Sequence, residues 1–166
     1  MEQNKNLKLD DLFFEADQLI KDQRFSDAIL KLNDILVEAP DYGRAHNHLG
    51  WIYETKYKDY TKAYEHYRLA LKFTPDYAAV YYNYAILLST LRKFDELEIL
   101  LSQAVKVPGI NFATIYNEYA IMYEAQGKLD EAIHHYKLYA QNLYDNKLID
   151  GAVESINRCK RKKEIL

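Results

Sequence analysis

Small side chains recur along this chain at a nearly fixed interval. Ala16, Gly50, Ala85 and Ala120 lie 34, 35 and 35 residues apart, and each is followed three positions on by an apolar residue, Leu19, Tyr53, Leu88 or Tyr123. Self-similarity at such a period constrains the fold strongly: each unit is too small to bury its own apolar face and must stack on copies of itself. A second series, Ala28, Ala63 and Ala132 with Leu97 in the third unit, follows about twelve positions later. Two antiparallel helices joined by a tight turn approach to ~8–10 Å, and small residues at the crossing point permit that approach. The larger Leu97 is expected to widen the third hairpin slightly.

Punctuation between the units supports the same division. Pro40-Asp41-Tyr42 returns as Pro75-Asp76-Tyr77, and Pro108 precedes Asn111, which stands 35 residues after Asp76. Asp41, Asp76 and Asn111 are good helix N-cap residues and are each expected to open a helix. Within each unit a short polar stretch ends on a bulky apolar residue: Phe25, Tyr60, Phe94 or Leu129. The second of these turns is one residue longer, since Tyr53 to Ala63 spans ten positions where Leu19 to Ala28 spans nine. With five Gly and three Pro in 166 residues, the chain has too little turn chemistry for a β-sandwich or barrel.

These residues resemble the tetratricopeptide repeat (TPR), a degenerate pattern of about 34 residues with a bulky residue, a small one, Tyr, Ala, an aromatic, Ala and Pro at fixed spacing. The second unit offers Leu49-Gly50, Tyr53, Tyr60, Ala63, Tyr67, Ala70 and Pro75, and the fourth Tyr116, Tyr119-Ala120, Tyr123, Gly127, Ala132 and Tyr136. The resemblance implies an all-α fold: a right-handed α-α superhelix, or solenoid, of four TPR-like helical hairpins at 9–42, 43–77, 78–112 and 113–142. A flexible N-terminus, 1–8, is expected before them, and a C-terminal capping helix, 143–166, after them. Leu148, Ile149, Ala152, Val153, Ile156 and Cys159 fall at helical spacing there and are expected to face the fourth hairpin. Most of the sixteen tyrosines belong to this packing signature.

The resemblance also implies a site. In the family, ligand contacts come mainly from a few positions on the first helix of each repeat, which line a concave groove. Carried onto this chain, those positions hold Phe13, Asp17, Arg44, Asn47, His48, Trp51, Tyr82, Asn83, Asn117 and Glu118, with Asp10, Phe14, Glu54, Ile86, Thr114, Ile121 and Glu124 beside them. Asn47, Asn83 and Asn117 each carry a donor and an acceptor suited to a peptide backbone, and Trp51 and Tyr82 offer amphipathic platforms. Trp51 has two readings, in the groove or in the hydrophobic packing. The family's clamp for chaperone C-termini needs lysines, asparagines and an arginine, of which only Asn83 survives here. The acids favour a neutral or basic ligand over an acidic one.

The function this implies is a protein-interaction module binding a peptide segment or partner protein. The alternative is a chaperone for a secreted or otherwise unstable substrate, and a homodimer is left open. Nothing points to an enzyme, a cofactor or a metal: there is no Gly-rich phosphate loop, His46 and His48 point apart on a helix, His134-His135 shares that defect, and His66 stands alone. A net charge of −3 gives no general nucleic-acid footprint. The basic run Arg158, Lys160, Arg161, Lys162 and Lys163 is accounted for by the helix macrodipole, with contact to RNA or an anionic surface as the sharper alternative. One cysteine, no export-type apolar run in the first residues and no span long enough for a bilayer lead to a cytoplasmic expectation without membrane insertion.

Overall fold

The computed structural model describes the backbone of residues 2–165 and the side chains of 7–165. The described chain is all-helical: α1 (Glu2–Lys21), α2 (Phe25–Glu38), α3 (Gly43–Ile52) running into a π turn (Tyr53–Tyr57), α4 (Tyr60–Phe73), α5 (Ala78–Thr90), α6 (Phe94–Ala104), α7 (Phe112–Ala125), α8 (Leu129–Gln141) and α9 (Asn146–Ile165). The expected fold class holds. α1 begins at Glu2, with no Gly or Pro before Lys21 to interrupt a helix. Met1 and Leu166 lie outside the described residues.

Each hairpin turns on one residue in the left-handed region: Gln23, Lys58, Arg92 and Gly127, at φ 60°, 55°, 56° and 75°. Around it, three of the four turns make the same double closure. Arg24 N–H donates to Leu19 O at 2.8 Å and Gln23 N–H to Ile20 O at 3.0 Å, and the pattern returns at Lys93 to Leu88 and Lys128 to Tyr123. The apolar residues at Leu19, Leu88 and Tyr123 thus supply the carbonyls that end their helices. In the second hairpin Asp59 N–H reaches Tyr53 O at 2.9 Å, six residues back instead of five. The extra residue seen in the sequence is taken up by the π turn, and Asp59 caps α4 by accepting from Lys62 N–H.

The small residues do what their recurrence demands. Ala16, Ala28, Ala63, Ala85, Ala120 and Ala132 are fully buried, as is Leu97. A Cβ placed on Gly50 would lie 2.7 Å from the Tyr67 ring, so α3 and α4 meet where only glycine fits. The N-cap expectation is corrected in two of three cases. Asn111 caps α7 through Thr114 N–H, but α3 and α5 start at Gly43 and Ala78, two residues past the expected caps Asp41 and Asp76. The reason is the turn itself: Tyr42 N–H bonds Ala39 O and Tyr77 N–H bonds Thr74 O, which puts the tyrosine and not the aspartate at the helix entrance.

The chain divides into two compact units, Met1–Leu87 and Leu88–Leu166. The first is built around Leu9, Phe13, Ala16, Leu32, Ile35, Leu49 and Ile52, with Trp51, Leu19 and Phe25 packed on its flank. In the second, Ala120, Leu129, Ala132 and Tyr136 pack with Ile156 and Cys159 of α9. The buried stripe of α9 is Ala152, Ile156 and Cys159. Leu148 and Val153, expected to face the hairpin, remain 50% and 45% exposed. Helical spacing marks an arc of apolar positions, and α9 uses its middle because ion pairs hold its polar edge.

Those ion pairs converge on Glu124. Its carboxylate accepts from Arg158 Nε at 2.8 Å, Arg158 Nη2 at 2.7 Å, Lys162 Nζ at 2.7 Å and the Tyr136 hydroxyl at 2.8 Å. The Arg158 hydrogen bonds hold its pKa down to about 2, against the opposing effect of burial. Lys163 pairs with Asp130. Three of the five cations in the C-terminal basic run therefore have partners within their own unit.

Candidate functional site

The first unit gathers eight of the ten site residues inferred from sequence. α1 supplies Phe13 and Asp17, α3 supplies Arg44, Asn47, His48 and Trp51, and α5 supplies Tyr82 and Asn83. Two adjoining cavities form among them. One, of about 280 Å³, is lined by Ile20, Asn47, His48, Trp51, Tyr77, Ala79 and Asn83. The other, of about 260 Å³, is lined by Asp10, Phe13, Phe14, Asp17 and Arg44. Phe13 and His48 form the wall between them, their rings edge to face with centroids 4.6 Å apart.

The larger cavity carries no carboxylate. Asn83 Nδ2 donates to Asn47 Oδ1 at 3.1 Å, so the two amides act as one element; Asn47 is buried and half-buried Asn83 is the accessible member of the pair. Trp51 packs on the first hairpin's core and also lines this cavity. Lys56, placed by the π turn, sits 5.2 Å from the Trp51 ring and 4.7 Å from Phe25. His48 donates from Nδ1 to Arg44 O at 3.1 Å, and burial lowers its pKa despite Asp17, whose Oδ1 is 3.6 Å from Nε2.

In the smaller cavity the acids already have partners. Asp10 accepts from the Tyr42 hydroxyl at 2.9 Å, and burial together with that bond pushes Tyr42 up to about 12. Asp17 pairs with Lys21 at 2.7 Å, which lowers its pKa. Arg44 is exposed and lies with its guanidinium 4.4 Å over the Phe13 ring and 5.8 Å from Tyr77. Among the described residues it forms no ion pair.

Other expected contacts lie elsewhere. Glu54 is buried, accepting from the Tyr67 hydroxyl at 2.7 Å, and burial raises its pKa. Glu124 repeats that bond with Tyr136 and holds α9. Both acids brace hairpins, and with Asp10 and Asp17 also engaged, most of the charge behind the expectation of a neutral or basic ligand is answered within the chain. Asn117 and Glu118 sit half-buried on α7 in the second unit, where desolvation raises the Glu118 pKa. Sequence reasoning passed over Ile20 and Tyr77 as cavity walls. Tyr77 follows Pro75-Asp76, so the turn that places it at the α5 entrance was the available signal.

A histidine pairing also went unforeseen. His46 Nε2 lies 3.0 Å from Pro40 O, and its Nδ1 lies 3.0 Å from His66 Nδ1. The carbonyl can only accept, so His46 donates there and receives the His66 proton at Nδ1. Burial above all, with the nearby Lys62 charge, brings His66 down to about 4. No group of three His, Cys, Asp or Glu suited to a metal ion occurs among the described residues, and no helix there is long and apolar enough to cross a membrane.

The sequence profile of the tetratricopeptide repeat family matches residues 15–78. No curated protein matches the chain. Among solved structures it is similar to Pseudomonas aeruginosa PilF, with TM-score 0.81 and 17% identity over 97% of this chain and 71% of that one. YrrB, described as a TPR protein with an unusual peptide-binding site, gives TM-score 0.77 and 18% identity over 92% and 76%. A TPR protein of Thermus thermophilus gives 0.69 and 20% over 87% and 79%. At these identities the structural likeness speaks for the fold, and the profile match speaks for the repeat signature of residues 15–78. Residues 15–78 match the tetratricopeptide repeat family, and the chain shares the fold of the TPR proteins to which it is similar.

Proposed function

We propose that this chain is a protein-interaction scaffold that holds a peptide segment of its partner across the two adjoining cavities of the first unit. The observation that carries this reading is the larger cavity: about 280 Å³, room for one apolar side chain, with Trp51 and Ile20 as apolar walls and the Asn47–Asn83 pair as its fixed polar element. An extended backbone offers N–H donors, which the amide oxygen of half-buried Asn83 can accept. Peptide binding is also recorded for YrrB, which shares the fold.

The test is selection from a library of random peptides displayed on phage. Peptides recovered on the wild-type protein should be lost on Trp51→Ala combined with Asn83→Ala. Because Trp51 also packs on the core, Ala79→Gln serves as a second variant, filling the cavity from α5 without removing a core group. Recovered peptides that bind Ala79→Gln as well as wild type would move the site off this face.

A further inference from the structure

We infer that the partner segment carries a side-chain carboxylate, Asp or Glu, next to the apolar residue that enters the larger cavity, and that Arg44 receives it. This rests on the peptide-binding reading above and adds the partner's chemistry. Three observations lead to it. Arg44 is on the first turn of α3 and lines the smaller cavity, while Tyr77, on which its guanidinium also leans, lines the larger one. It therefore stands where a segment passing from one cavity to the other must run.

The second observation is how the cation is held. The guanidinium carbon lies 4.4 Å from the Phe13 ring centroid, a cation–π contact that restrains the group, while Arg44 remains exposed with N–H donors open to a ligand. Such a fork suits the two oxygens of a carboxylate. The third is charge accounting around it. Asp17 is offset by Lys21 and Asp10 is bonded by Tyr42, and neither ion-pairs with Arg44. The larger cavity beside it contains no acid to repel an incoming carboxylate. Since the two cavities adjoin through the Phe13–His48 wall, the segment continues past Arg44, and its carboxylate comes from a side chain and not from a chain end.

The probe is the same phage-displayed library, its peptides fused at their C-terminal ends so that none offers a free terminal carboxylate. Peptides that compete for wild type and are lost on Ala79→Gln should be enriched in Asp or Glu adjoining Leu, Met or Phe. A synthetic copy of such a peptide should bind Arg44→Gln about tenfold or more weakly, and selection on Arg44→Glu should exchange the acid for Lys or Arg. Enrichment of basic residues on wild type, or acidic peptides indifferent to Arg44→Gln, would overturn the assignment while leaving the cavity reading intact. A synthetic copy that binds with a free C-terminal carboxylate but not when its C-terminus is amidated would overturn the side-chain source. Recovery of no peptide sensitive to Ala79→Gln would overturn the cavity reading and this inference together.

Discussion

Replacing Glu124 by Gln should loosen α9 while leaving the first unit untouched. The carboxylate accepts four hydrogen bonds, two from Arg158 and one each from Lys162 and Tyr136. A glutamine keeps the size and one acceptor, but its amide N–H groups point at cations. The fall of the carboxyl pKa from its ordinary 4.5 to about 2 sets a ceiling of roughly 3 kcal/mol on what the charged form contributes. The Glu124 side chain is only 10% exposed, but Arg158 and Lys162 are 50% and 48% exposed, so solvent screening reduces that to about 1–2 kcal/mol. The folded pKa lies below the unfolded one, so this contribution is fully present above pH 4.5 and is lost as pH falls toward 2. Urea unfolding should therefore show the variant weaker at neutral pH, with the gap closing in acid. Hydrogen exchange should quicken around Ala152 to Cys159 and stay unchanged around Leu49. A variant of wild-type stability at pH 7, with α9 equally protected, would refute the reasoning.

Two further outcomes follow from packing and from titration. Gly50→Ala should destabilise by about 1–3 kcal/mol against the Tyr67 ring, whereas Gly151→Ala, with nothing within 4 Å, should stabilise by about 0.5–1 kcal/mol, the ordinary gain of Ala over Gly in a helix; thermal melts of the two decide whether close approach or propensity governs. Because His66 titrates near 4 in the folded chain instead of 6.5, its neutral form adds stability that is complete above pH 6.5 and lost as pH falls to about 4. A stability–pH profile should show about 1–2 kcal/mol of that loss, and His66→Gln should flatten it; a variant retaining the full slope would assign it to other groups.

The parts of the fold legible in the sequence were those where a steric demand admits few residues. Gly50 lies 2.7 Å from a ring once given a Cβ, and such a requirement shows as recurrence. The left-handed turn residues were not legible, because Gln23, Lys58 and Arg92 carry none of glycine's preference for that conformation and are held there by the closing hydrogen bonds around them. The inward face of α9 was half legible: spacing gave the arc, and Glu124 chose its centre. At the site, family positions brought the residues of α1, α3 and α5 together, but pairings between distant positions, Asn47 with Asn83 and His46 with His66, depend on which side chains the packing brings within reach. The same is true of Asp10 and Glu54, whose charge is visible in the sequence and whose tyrosine partners are not.

The π turn at Tyr53–Tyr57 separates the length of a unit from its pitch. One residue more than in the other three hairpin turns is absorbed within a single helical turn, and Ala63 still falls where packing needs it. Counting residues is thus a poor ruler for this chain, and contact positions are a good one. For protein engineering, the end of a hairpin's first helix is where a residue, or a probe carried on it, can be added without moving the wall behind it.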